Sequence, residues 1–183
     1  MLKASPAIIA AREKWAYRGQ ARPPFAEPVG PGERSVWDFP RPPLLESVSQ
    51  PLRVLRAETE IAHTVAGSRV LETAGAPTYY FPPDDVQRDL LIELDAPSIC
   101  EWKGIAASFA LNDDPSRTPI AWCYVDTFEE FSQIQDWYAF YPGRVSCYVG
   151  DELVAPQPGG YYGGWVTKDL KGPIKGEAGT GHW

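Results

Sequence analysis

The stretch LRVLRAETEIAHTVAGSRVLETAGAPTYYF, residues 52–81, decides the fold class. Leu52, Val54 and Arg56 alternate with Arg53, Leu55 and Ala57, and a second run, 60–65, follows almost at once. A two-residue period of this kind places alternate side chains on opposite faces of a strand. Gly67-Ser68 marks a turn, Arg69 to Thr73 is a third strand, and Gly75-Ala76-Pro77 breaks it. Thr78 to Phe81 is a fourth strand, stopped by Pro82-Pro83. Strands joined by so few residues form an antiparallel meander, because a parallel crossover needs a dozen residues or more.

The same pattern continues toward the C-terminus. Asp84-Asp85 stands where a helix cap is wanted, and Val86 to Leu91 reads as one or two helical turns. Ser98 to Trp102 leads into Gly104, after which Ile105, Ala107, Phe109 and Leu111 alternate with the small Ala106, Ser108 and Ala110. A small face either packs closely on another layer or leaves room for a ligand. Pro119 to Val125, Trp137 to Tyr141, Arg144 to Val149 and Glu152 to Val154 are further strands. Between them Glu129 to Gln135 is predicted helical, with Thr127 and Glu130 as a capping box. The expectation is a mainly β, single antiparallel body, either barrel-like or two-layer and tent-like, with one or two short helices.

Two flanking segments complete it. Residues 1–50 hold a short helix over 6–17 and then a proline-rich arm, with Phe25, Trp37, Phe39, Leu44 and Leu45 as anchors. Such an arm lies across its own body or grips a second copy as a homodimer. Residues 51–183 form the β domain, which includes a Gly-aromatic wrap over 156–183 built around Gly159-Gly160-Tyr161-Tyr162-Gly163-Gly164-Trp165.

Composition narrows the function classes. The net charge is −7, with seven basic and five acidic residues in 1–50 against ten and nineteen in 51–183. A body this acidic is a poor partner for polyanions, so nucleic acid is not expected. Cys100, Cys123 and Cys147 are odd in number and widely spaced, which argues against a disulfide framework and for a reducing, cytoplasmic setting. The N-terminal apolar run is shorter than a secretory signal, and no run approaches a membrane span. His63 and His182 are the only histidines, no CxxC pair is present, and neither a metal nor a cofactor is expected.

Tyr79-Tyr80-Phe81-Pro82, Asp84-Asp85-Val86, Cys100-Glu101-Trp102-Lys103-Gly104, Ala121-Trp122-Cys123-Tyr124 and Tyr138-Ala139-Phe140-Tyr141 resemble the signature of the family known as domain of unknown function 427. The closing Gly-aromatic stretch and Gly172-Pro173-Ile174-Lys175-Gly176 resemble its longer form. The resemblance implies a mostly β domain and carries a nucleotidyltransferase label. Polymerase-type transfer needs carboxylates gathered on metal ions. Asp84-Asp85 and Asp113-Asp114 are instead adjacent pairs, with no Gly-Ser turn before them.

The residues themselves point to a small-molecule site between Pro77 and Gly104. Cys100 beside Lys103 is a candidate nucleophile, since an ammonium favours the thiolate, and Asp85 is a further candidate catalytic residue. Tyr80, Arg88, Trp102, Trp122 and Tyr124 are candidates for binding a planar or anionic ligand. Each also has a structural role open to it: Cys100 as a small buried residue, the aromatics as core and cross-strand pairs. A protein-interaction module built on the arm and a metal-dependent nucleotidyltransferase are the alternatives.

Overall fold

Residues 52–81 form the antiparallel run that their alternation predicts, in a computed structural model that describes residues 1–183. The principal strands are β1 (Leu44–Ser47), β2 (Leu52–Arg56), β3 (Thr59–Thr64), β4 (Ser68–Leu71), β5 (Thr78–Tyr80), β6 (Leu91–Cys100), β7 (Gly104–Leu111), β8 (Ala121–Thr127), β9 (Tyr138–Phe140), β10 (Ser146–Val149) and β11 (Glu152–Leu153). They pair in the orders β11-β10-β2-β3, β9-β8-β7-β6 and β1-β4-β5. Phe81 and Tyr138 exchange backbone hydrogen bonds of 2.8 and 3.0 Å, which joins the edge of the third sheet to the edge of the second. The body is thus two-layered, and its sheets do not close into a barrel.

The faces of the joined sheet are sorted by residue parity. Tyr79 and Phe81 enter the main core with Leu52, Val54, Ile61, Phe140 and Trp165, facing the first sheet. Tyr80, between them, enters a second cluster on the opposite face with Val70, Trp102, Ala106, Tyr124 and Ile134. Each fully buried aliphatic side chain of the main core contributes about 1.5–3 kcal/mol relative to exposure. Tyr79 stacks on Trp165 with ring centroids 4.8 Å apart, and the Trp165 indole donates to the Phe140 carbonyl at 2.9 Å. This anchors the wrap.

The arm is bound internally. Helix α1 (Pro6–Glu13) is shorter than predicted, starts with Pro6 after the cap Ser5, and buries no residue. Trp37 is fully buried and meets Tyr17, Phe25 and Trp183 at 5.2 Å each or, for Phe25 and Trp183, at a mutual 5.3 Å. Arm and wrap therefore share a third cluster with Leu71, Ala74 and Leu170.

Several local expectations change. Strand β1 arises inside the proline-rich segment, where Leu44–Ser47 pairs with Ser68–Leu71. Strand β6 starts at Leu91, seven residues before the predicted start, and only Arg88–Leu90 and Pro83–Asp85 are helical, as single 3₁₀ turns. Pairing with β7 across a bulge between Leu94 and Ser98 outweighs the weak local helix pattern. The segment 129–134 is 3₁₀, its cap position is Phe128, and the Thr127 hydroxyl bonds Gln135 Oε1 at 3.2 Å in place of the expected box.

Candidate functional site

The outer face of the joined sheet is roofed by arm and wrap, and between them lies a cavity of about 540 Å³. Its inner lining comes from strands. Tyr80 projects from β5, Trp122 and Tyr124 from β8, and Ser108 from the small face of β7. Register explains the space: Trp122 lies opposite Ser108 and Tyr124 opposite Ala106, so each large ring faces a small neighbour. The small alternate face thus borders a cavity at Ser108.

The turn between β6 and β7 delivers Cys100, Glu101 and Lys103 to the same cavity. Gly104 permits this turn, with φ at +135° and so little room that a Cβ would collide with the Asp126 carbonyl oxygen. The roof adds Lys14, Trp15 and Arg41 from the arm, and Tyr161, Tyr162, Gly163 and Lys175 from the wrap. Gly163 packs on the Trp122 ring where a side chain would clash. Gln157 fixes the wrap, accepting from the Ala76 N–H at 3.1 Å and donating to the Lys175 carbonyl at 2.8 Å.

The charges are unevenly matched. Lys14, Arg41, Lys103 and Lys175 face Glu72 and Glu101, an excess of cations in a chain of net charge −7. Arg41 is fully engaged: it donates to Glu72 Oε1 at 3.2 Å and to the Tyr17 and Thr73 carbonyls at 2.9 Å. Lys103 is buried, lies 3.9 Å from Glu72 Oε2, and has no hydrogen bond of its own. Burial by itself pulls its ammonium down, but Cys100, Tyr80, Glu72 and Glu101 outweigh that and hold it above the ordinary lysine range. Lys103 is a cation at neutral pH.

Burial pushes the Tyr80 phenol up, and its hydroxyl has no hydrogen-bond partner, Trp122 approaching without reaching bonding geometry. Burial likewise raises Tyr124, whose hydroxyl faces Cys100. Trp15 donates to Glu101 Oε1 at 2.9 Å, while Arg41 and Lys175 lie 4.4 and 3.8 Å from its ring centre. Burial, then the charge of Arg41, lowers Lys175 to about 8.

Of the residues singled out from sequence, Tyr80, Cys100, Lys103, Trp122 and Tyr124 converge here. Asp85, Arg88 and Trp102 do not line the cavity. Val86 bridges to Ala62 of β3, which carries the Asp85–Arg88 segment along the other sheet. Trp102 is packed in the second cluster, with the Arg12 guanidinium 5.2 Å from its ring centre. Trp15, Arg41, Glu72 and Lys175 come from segments that only tertiary packing brings in; the one sequence signal among them was Lys175, which stands in the closing Gly172-Pro173-Ile174-Lys175-Gly176 stretch.

No three His, Cys, Asp or Glu side chains gather as a metal site would require. Asp113 pairs with Arg56 at 2.6 Å, and Asp114 accepts from Ser116 and Thr118. A shallower groove of about 390 Å³ beside the β6 bulge carries only acidic charge, from Glu93 and Asp95. No helix is long and apolar enough to cross a membrane.

The model of a family described as domain of unknown function (DUF427), whose short name points to nucleotidyl transfer, matches residues 44–151. No curated protein matches the chain.

Proposed function

We propose that this chain, which belongs to the domain of unknown function 427 family, binds a small planar or anionic ligand in the cavity beneath Trp15. One observation carries the reading: a cavity of ligand size gathers surplus cations and aromatic walls in an acidic protein. Its volume of about 540 Å³ falls within the usual range for small-molecule sites. Cys100 and Lys103 are the pair placed to act on a bound ligand, and Tyr80, Trp122 and Tyr124 are its contact surface. Asp85, Arg88 and Trp102 support the reading less, since they stand elsewhere.

The other readings find less support. The arm's anchors Trp37 and Phe39 are buried in the chain's own third cluster, leaving Leu44 and Phe25 as its large exposed apolar groups. Metal-dependent nucleotidyl transfer would draw on gathered carboxylates, and the two Asp pairs are not so arranged.

The test is a thermal-shift screen of planar acids, neutral arenes and nucleotides against wild type and Lys103→Ala. A class that raises the wild-type midpoint and fails to raise that of a folded Lys103→Ala variant is expected. If no class shifts the wild type, the reading falls.

A further inference from the structure

Two groups on the inner lining of the cavity lack partners of their own. The Tyr80 hydroxyl is fully buried and makes no hydrogen bond, Trp122 approaching it without bonding, and the Lys103 ammonium makes none either. An uncompensated buried polar group is costly, and one placed on a cavity wall is satisfied when a ligand supplies the missing atom. Ammonium groups only donate, and a phenol donates or accepts, so the group that satisfies both is an acceptor.

We infer, on the basis of the cavity reading above, that the ligand is a planar aromatic or conjugated monocarboxylate, its carboxylate held by Lys103 Nζ and the Tyr80 hydroxyl. A carboxylate offers two acceptor oxygens and makes charge-assisted bonds stronger than neutral ones. A primary amide presents two N–H donors to a lining that already donates. The single charge follows from what the other cations already hold: Arg41 is bound to Glu72 and two carbonyls, Lys175 donates to the Trp183 carbonyl and lies over Trp15, and Lys14 lies over the same ring, so Lys103 is the cation left to meet one negative charge.

The planar body follows from the walls. Trp15 is occupied by three cations, Lys14, Arg41 and Lys175. Arg144 lies 4.1 Å from the Tyr141 ring centre and Lys175 5.3 Å from that of Tyr162, so Trp122, its centroid 4.5 Å from that of Tyr141, is the ring surface left for a planar body.

The experiment is calorimetric titration of the full chain at pH 7 with 2-naphthoate, 2-naphthamide and 2-naphthyl phosphate. Wild type should bind naphthoate about tenfold or more tightly than the amide, the size of one charged hydrogen bond, and more tightly than the phosphate. Tyr80→Phe should weaken naphthoate by about three- to tenfold and leave the amide unchanged. Lys103→Met should abolish the preference for acid over amide.

An amide bound as tightly as the acid, a phosphate bound as tightly, or an acid preference that survives both substitutions overturns the carboxylate assignment. Binding of the amide alone overturns it while the cavity reading stands. Binding of none of the three overturns both. If Lys103→Met does not fold by circular dichroism, the acid-to-amide ratio in wild type and in Tyr80→Phe decides.

Discussion

Lys103 Nζ stands 3.9 Å from Glu72 Oε2, within reach of a charge and beyond reach of a hydrogen bond. The other oxygen of the same carboxylate is taken by Arg41 at 3.2 Å. One acid thus serves two cations on unequal terms: Arg41 is bound into the arm and the turn after β4, while Lys103 keeps its donors for something else. A buried ammonium with a distant counter-charge is a poor stabilising device, because desolvation is only partly repaid. In the function proposed above, that placement suits the receiving end of a ligand.

Tyr80→Phe should stabilise the ligand-free protein. The hydroxyl is buried and unpartnered, and deleting such a group relieves a penalty of about 1 kcal/mol or more. Urea unfolding without ligand should show a higher midpoint at unchanged slope. A lower midpoint would mean that the hydroxyl has a partner within the protein and is not held open for a ligand's acceptor. Stability gained and acid binding lost in the same variant would mark the tyrosine as kept for a ligand.

Gly104→Ala is expected to damage both stability and site. At φ of +135° any side chain is strained, and the added methyl meets the Asp126 carbonyl. A loss of about 2 kcal/mol or more in urea unfolding is expected from backbone strain and steric conflict together. The turn that presents Cys100 and Lys103 must then shift, so naphthoate affinity should fall as well. A variant that unfolds at the wild-type midpoint would show that the turn relaxes freely.

The fold was legible because it is local in origin. The alternation in 52–64, the glycine and proline breaks, and the YYFP stop are all short-range signals, and each became a strand or a strand end. Parity along Tyr79-Tyr80-Phe81 also separates the two faces of the sheet. What sequence could not show was pairing at a distance. Leu44–Ser47 is a strand because β4 offers an edge, and 91–97 is a strand because β7 does. The site was half legible for the same reason. Cys100 and Lys103 share one turn and Trp122 and Tyr124 one strand face, so their proximity was local; Trp15, Arg41 and Lys175 arrive by way of the arm and the wrap.

The three thiols should differ in reactivity. Cys100 is half-buried on the cavity lining, whereas Cys123 and Cys147 are buried. Burial pushes Cys123 up to about 12 and raises Cys147 well above the ordinary thiol range, so neither supplies thiolate near neutral pH. Brief treatment of the native protein with iodoacetamide at pH 8 should give one adduct, mapped by peptide mass to Cys100. Saturating 2-naphthoate should slow that adduct. Preferential labelling of Cys123 or Cys147 would contradict the packing around them.

Lys175 gives the cavity a signature in alkaline stability. Burial and the nearby Arg41 lower it to about 8 in the folded chain, against an ordinary lysine near ~10.4 in the unfolded chain. Below pH 8 both states hold the proton, and the folded state carries the full penalty of a buried cation. As pH rises from about 8 to about 10, the folded chain releases a proton that the unfolded chain keeps. The unfolded state then binds more protons, so the stability contribution of Lys175 rises across that window and levels off above it. Cys123, Tyr80 and Lys103, all raised, act in the opposite direction at higher pH, which makes the raw wild-type curve ambiguous. The difference between wild type and Lys175→Met isolates the effect, since the other groups are common to both chains. Urea unfolding at pH 7, 8, 9 and 9.5 should show wild type gaining on the variant with each step above 8. A flat difference would mean that Lys175 titrates alike in both states, and that the ammonium over Trp15 is solvated, leaving the roof of the cavity open.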